Sequence, residues 1–144
     1  MNNIPEIKIG LIAVSRDCFP AALSEKRRTA IANVCKDVYS YPVTVQTEDA
    51  IAPAIADLKK NGVNALVVFL GNFGPEAVET MIAQKFDGPV MYCAAAEGDG
   101  DLYDGRGDAY CGMLNCSYNL GHRNQKAYIP ENPVGRADEI AKPI

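Results

Sequence analysis

Three polar, glycine-containing loops, each directly after a short apolar run, carry most of the side chains in this chain that could do chemistry. They are Ser15-Arg16-Asp17-Cys18-Phe19-Pro20, Gly71-Asn72-Phe73-Gly74-Pro75-Glu76, and the segment 97–111, which ends in Arg106-Gly107-Asp108-Ala109-Tyr110-Cys111. Arg16 offers a planar guanidinium able to make directed hydrogen bonds to ligand hydroxyls or carboxylates. The competing reading is a surface pair with Asp17 of little energetic value. Asn72 either presents its amide to a ligand or simply forms the turn. Glu76 sits beside Pro75 at a helix opening, where the macrodipole favours a carboxylate with or without a ligand. Arg106 and Asp108 belong to an Arg-Gly-Asp triplet that reads as coincidence rather than as an adhesion motif.

Other chemistries fit the residues less well. Gly98-Asp99-Gly100 lacks the third glycine of a dinucleotide fingerprint and the Lys-Ser/Thr of a phosphate loop. The acidic run there lacks the twelve-position ligand pattern of a calcium loop and reads as a solvated loop. Cys116 and Arg123 are one residue too far apart for a Cys-x5-Arg phosphatase loop, and His122 stands where the arginine would be needed. Cys18 and Cys93 lie near strand ends, where a low-pKa thiol could act. Cys18 has Arg16 beside it; a buried small hydrophobe is the alternative role. The single histidine, His122, has no evident catalytic partner and reads as a surface or capping residue. Five cysteines without paired spacing argue against zinc and for reduced thiols.

The loops need elements to hold them. Residues 7–14 form an Ile-rich run suited to a strand covered on both faces. Phe19-Pro20 opens a helix whose apolar positions, among them Leu23, Ile31, Val34 and Val38, recur at helical spacing. A second strand is expected at 43–46. A helix capped by Thr47 follows, with Ile51, Ala54, Ile55 and Leu58 inward and Asn61-Gly62 at its end. Residues 65–70 are six consecutive apolar residues, the clearest central strand. Pro75 begins the next helix, 90–95 makes a fourth strand, 109–120 a helix, and 127–129 a short fifth strand. Right-handed crossovers turn this alternation into an α/β fold: a doubly wound parallel five-stranded sheet, a flavodoxin- or Rossmann-like three-layer sandwich of order 2-1-3-4-5. Ligands in such sheets bind at the carboxyl ends of the strands, so all three loops share one rim, with Arg16 and Asn72 flanking one crevice. After residue 135, Ala137, Ile140, Ala141 and Ile144 follow helical spacing. Their apolar face is expected to find no partner in the chain, so 1–135 reads as the domain and 136–144 as the truncated start of a following segment.

At 144 residues, with 48% hydrophobic and 22% charged residues, the composition is that of one globular domain. A chain of this size buries about 70% of its unfolded surface. The net charge of −4 and the lack of a basic stripe make nucleic acid an unlikely partner; Lys26-Arg27-Arg28 and Lys59-Lys60 read as solvated helix surface. The apolar run near the N-terminus is too short for a secretory core or membrane span, so no membrane association and a cytoplasmic location are expected.

The phrases SRDCFP, LGNFGPE and RGDAYCGMLN, with the closing YIPENPVG, resemble the N-terminal domain of the L-fucose/L-arabinose isomerase family, in particular its fucose isomerase-like members, from residue 7 to 135. The resemblance implies a metal-dependent aldose–ketose isomerase in the full-length protein, using manganese or a similar divalent ion. The metal ligands and acid/base carboxylates belong to later domains, so this chain holds no cofactor and is expected to be inactive alone. It implies a Rossmann-type layer that helps to build a homo-oligomer and lends residues to a neighbouring subunit's sugar site. Arg16 matches the arginine best placed for that loan; Asn72, Glu76, Arg106 and Asp108 are carried over from loop position. Two other readings stay open: a stand-alone module binding a sugar or sugar acid, and a small enzyme using Cys18 or Cys93.

Overall fold

The protein is described by a computed structural model covering residues 4–98 and 106–144. Most of the acidic Gly-Asp-Gly-Asp run therefore lies outside the described residues. Five parallel strands form one sheet in the order β2-β1-β3-β4-β5. They are β1 Ile9–Val14, β2 Tyr39–Ser40, β3 Ala65–Leu70, β4 Val90–Ala95 and β5 Val134–Gly135. The helices are α1 Ala21–Val34, α2 Ile51–Lys60, α3 Glu76–Lys85, α4 Ala109–His122 and the short α5 Ala137–Ile140. α1 and α5 pack together on one face; α2, α3 and α4 lie side by side on the other. This is the doubly wound three-layer arrangement expected from the alternation.

The three long strands are apolar along their whole length because helices cover both faces. Leu11, Ile12, Val68, Leu70 and Tyr92 are fully buried. Each such large side chain contributes about 1.5–3 kcal/mol on leaving water. β1 and β3 pair without interruption from Ile9↔Ala65 to Val14↔Leu70. Both strands therefore end level, and the loops that follow leave the sheet side by side.

The edges depart from expectation. The second strand is not 43–46 but Tyr39–Ser40, with Val45 returning only as a single bridge to Val14. Tyr41 N–H donates to Leu11 and Val45 N–H to Ala13, so the intervening residues loop out. Pro42 stands in that gap and has no N–H to give a ladder, which confines such a residue to an edge. The fifth strand is likewise split. Tyr128 makes an isolated bridge to Met91, and the paired strand forms later at Val134–Gly135. Pro130 and Pro133 interrupt the run between them. Before α2, Thr47 makes no side-chain cap; residues Glu48–Ala50 form a 3-10 turn instead.

Two charge and packing expectations are overturned. Arg27 and Arg28 are not solvated surface. Arg28 is 7% exposed and donates to Ser40 Oγ and to the Pro42 carbonyl. The tail also finds its partner within the chain: Ile140 is 1% exposed, and Ala137 and Ile144 pack against the core. The backbone N–H of Arg136 donates to Glu139 Oε2 at 2.8 Å, closing the first turn of α5. Four residues cannot hold a helix by propensity, so packing on α1 holds it.

Candidate functional site

The carboxyl ends of β1, β3 and β4 form the polar rim. The Arg16 backbone N–H donates to the Phe73 carbonyl at 3.0 Å, and Phe73 N–H donates to the Gly107 carbonyl at 2.6 Å. These two bonds join the loop after β1, the loop after β3 and the segment before α4 into one surface at the topological switch point between β1 and β3. A parallel α/β sheet places its ligand at this position.

Arg16 is an exposed cation of that surface. Its Nη1 donates to Glu76 Oε1 at 3.1 Å, and its guanidinium lies 5.3 Å from the centroid of the Phe73 ring. Phe73 in turn stacks on Phe19, centroid to centroid 5.9 Å, so an aromatic pair from two loops supports the arginine. Glu76 opens α3. Its own backbone N–H, then Asn115 Nδ2 at 2.8 Å, then Arg16 hold its carboxyl below the usual range against a smaller opposing effect of burial. Arg16 and Glu76 are each about two-fifths exposed, at 41% and 38% of the side chain. Nε and Nη2 of Arg16 make no hydrogen bond to the described residues.

The other sequence candidates occupy different places. Asn72 is fully buried: its Oδ1 accepts from Arg16 N–H at 3.4 Å, and its Nδ2 donates to Ser15 Oγ at 2.8 Å and the Pro20 carbonyl at 3.2 Å. The amide joins two loops and sets the backbone from which Arg16 projects. Arg106 Nε meets Asp108 Oδ1 at 3.0 Å. Asp108 adopts a left-handed backbone, φ 49°, just before α4 and gives that helix no side-chain cap. Arg16 thus contacts both Asn72, through its backbone, and Glu76, through its side chain, while Arg106 and Asp108 pair with each other.

Three residues that the sequence did not single out complete the rim. Arg27, on α1, grips Glu97 with two nitrogens, at 2.8 and 3.4 Å, and donates to the Gly71 carbonyl at 2.7 Å. Glu97 also accepts from the backbone N–H groups of Gly107 and Ala109, both at 3.3 Å. Burial opposes its ionisation, but Arg27 and the two amides outweigh it and hold the carboxyl below its ordinary range. A Cβ at Gly107 would lie 2.6 Å from Arg27 Nη1 and 3.2 Å from the Asn72 Cα, so a larger residue would have to displace the Arg27 guanidinium. Asn115 is the third: it sits mid-helix, where nothing in its spacing separates it from Asn119, which donates to it. The signal available for Arg27 was its place on the helix face shared with Ile31 and Ala30.

Beneath the rim lies Glu79, 1% exposed, with both carboxyl oxygens lacking a hydrogen-bond partner among the described residues. It fits under Gly74, which has no Cβ to collide with its carboxyl. Burial pushes it up to about 8; Cys116 faces it closely enough to pull the other way, without forming a bond of normal geometry. At neutral pH it is mostly protonated.

The cysteine reading is corrected in part. Cys93 is fully buried, and burial pushes its thiol up, which opposes thiolate formation. Cys116 is buried with the same consequence, whereas Cys18 and Cys111 are exposed. His122 is exposed, its ring stacked 5.9 Å from Tyr118. Among the described residues, no three His, Cys, Asp or Glu side chains converge where a metal ion would be held. No helix among them is long and apolar enough to cross a membrane. A concavity of about 490 Å³ lies at β5 and α5, between Asn132, Glu139 and Lys142, away from Arg16.

Comparison with curated proteins finds no match. Comparison with protein families finds one that covers residues 10–144, described as the fucose/sulfoquinovose isomerase N-terminal domain. The match runs through β1, every rim loop and α5. The chain belongs to the family of fucose/sulfoquinovose isomerase N-terminal domains.

Proposed function

We propose that this domain supplies Arg16 to the sugar site of a homo-oligomeric, metal-dependent aldose–ketose isomerase, and that it is inactive by itself. The observation that carries the reading is the half-exposed guanidinium at the switch point, braced by Glu76 and Phe73, with Nε and Nη2 left to donate. Asn72 sets the backbone beneath it, and Asn115 fixes the Glu76 carboxylate. Aldose–ketose isomerisation needs a base for a carbon-bound proton and an electrophile for the ene-diol oxygens. Both, with the divalent ion, are assigned to parts of the enzyme outside this chain.

The Arg16–Glu76 pair also bears on which sugar is bound. A guanidinium donor beside a carboxylate acceptor suits neighbouring hydroxyl groups, one accepting and one donating. A sulfonate or carboxylate placed on Arg16 would also face the Glu76 charge. The pair therefore favours a neutral aldose, such as fucose or arabinose, over a sulfonated sugar or sugar acid. The test is Arg16→Ala in the full-length isomerase. Loss of a charge-assisted hydrogen bond, worth about 1.5–3 kcal/mol, lowers kcat/KM roughly 10- to 100-fold. Unchanged kinetics would remove Arg16 from the site. A wild-type preference for the sulfonated sugar would overturn the neutral-aldose reading.

A further inference from the structure

Glu97 directs both carboxylate oxygens at Arg27 and at the backbone entering α4. Its Oε2 accepts from Arg27 Nη2 at 2.8 Å and from the Gly107 N–H at 3.3 Å. Its Oε1 accepts from Arg27 Nη1 at 3.4 Å and from the Ala109 N–H at 3.3 Å. Two further bonds carry this pair into the loop after β3. Arg27 Nη1 donates to the Gly71 carbonyl at 2.7 Å, and the Gly107 carbonyl accepts from the Phe73 N–H at 2.6 Å. The tripeptide Gly71-Asn72-Phe73 is therefore tied to the Arg27–Glu97 pair at both ends. Arg16 hangs from that same tripeptide. Its backbone N–H donates to the Phe73 carbonyl at 3.0 Å and lies 3.4 Å from Asn72 Oδ1, and its guanidinium lies over the Phe73 ring. Gly107 also presses on the middle of the tripeptide, where a Cβ would come 3.1 Å from the Asn72 Cβ.

We infer that Glu97, gripped by Arg27, is a positioning residue for Arg16 and acts on it through Gly107 and Phe73. Loops that follow strands are the mobile parts of a fold unless something ties them down. Here the tie is a two-pronged, charge-assisted pair, the strong and directional kind of hydrogen bonding. It is mostly withdrawn from water, so solvent screens it little. Glu76 and Asn115 hold the guanidinium end of Arg16, whereas Glu97 governs the place from which its backbone starts. Both ends of the side chain must be fixed for its free nitrogens to meet a hydroxyl. A displacement of about 1 Å at a substrate-positioning group can cost up to about 100-fold in rate. The role rests on Arg16 being the sugar contact, and its tests separate the two.

The first test is a double-mutant cycle in the full-length isomerase with L-fucose as substrate. Glu97→Gln lowers kcat/KM roughly 10-fold when Arg16 is present. In an Arg16→Ala background the same change lowers it less than about 2-fold, because the group being positioned is gone. A merely structural Glu97 would give the same factor in both backgrounds, and that result overturns the inference. So do wild-type kinetics for Glu97→Gln where Arg16→Ala is impaired. If Arg16→Ala is itself unimpaired, or L-fucose is not turned over, the sugar reading has failed, and amide hydrogen exchange in this chain decides the positioning. Glu97→Gln then speeds exchange at the Arg16 and Phe73 amides at least about 10-fold relative to the Tyr41 amide, which is bonded to Leu11 at the sheet edge. A uniform change at all three reports lost stability alone and overturns the inference. Should Glu97→Gln not fold, Arg27→Lys replaces it in both tests: it keeps the charge but gives up the planar fork that holds Glu97 and Gly71 together. The same two patterns are expected of it, and the same uniform results overturn the role.

Discussion

The Arg27 guanidinium and the Glu97 carboxylate meet through two hydrogen bonds, at 2.8 and 3.4 Å, across 70 residues of sequence. Arg27 stands on α1, Glu97 just past β4, and the pair spans the rim to clamp the segment entering α4. Their side chains are only 14% and 21% exposed, so the pair is largely withdrawn from water. Removing one partner leaves the other charge stranded.

Arg27→Ala is accordingly expected to destabilise the domain by about 2–4 kcal/mol, because breaking a mostly buried pair costs more than the pair itself contributes. Glu97→Gln keeps one acceptor oxygen, for the Gly107 or the Ala109 amide but not both, and leaves Arg27 without its charge partner, so it should cost a comparable amount. Urea midpoints at constant m-value measure both.

Glu79 makes stability fall with rising pH. Its folded pKa, about 8, stands above the ordinary 4.5 of the unfolded chain. Its contribution is fully present below 4.5 and is lost as pH rises through about 8. Glu79→Gln, neutral and of like shape, removes that loss: the variant should be more stable than wild type near pH 9, by about 2–4 kcal/mol. Glu97 and Glu76, whose carboxyls are held low, give the opposite limb, with stability lost on acidification. Thermal melts across pH compare the slopes; equal slopes for variant and wild type would contradict the account.

Gly71 lies against Ser24 so closely that a Cβ would come within 2.6 Å of the Ser24 backbone Cα. Gly71→Ala must push α1 away from the end of β3, and with it the Ser24 hydroxyl that donates to the Val14 carbonyl at 2.7 Å. The expected penalty is about 1–3 kcal/mol, typical of an overpacked core. It is read from the denaturation midpoint. Gly121, with open space around it, should tolerate alanine.

Thiol labelling distinguishes exposed from buried cysteines. Cys18 and Cys111 should react in the native protein, and Cys93 and Cys116 only after unfolding. Mass spectrometry of the labelled peptides gives the answer. Rapid native labelling of Cys93 would revive the thiol-enzyme reading that its burial opposes.

Arg16→Lys is expected to restore less than half of the kcat/KM lost in Arg16→Ala in the full-length isomerase. Lysine keeps the charge but loses the planar fork that reaches Glu76 and a hydroxyl together. Steady-state kinetics of the two variants supply the comparison.

What the sequence by itself determined is the part of the protein governed by short-range rules. Apolar runs at 7–14, 65–70 and 90–95 marked β1, β3 and β4, and the right-handed crossover then set their order and brought Arg16 and Asn72 to one rim. Helical spacing in the tail was equally visible, but its burial on α1 was not. The tertiary structure decided the pairings. Arg16 finds Glu76 at a separation of 60 residues, and Arg27 leaves solvent only because the segment after β4 presents Glu97 to it. Asn72, read as a ligand contact or a turn, is fully buried because two loops converge on its amide. Edge strands shifted because prolines removed donors at Pro42, Pro130 and Pro133, leaving ladder bonds to whichever neighbouring residues came into register. Periodicity and turn chemistry act over a few residues and are written locally. Burial and charge pairing depend on which loops the sheet register sets side by side, and no single stretch of the chain contains that information.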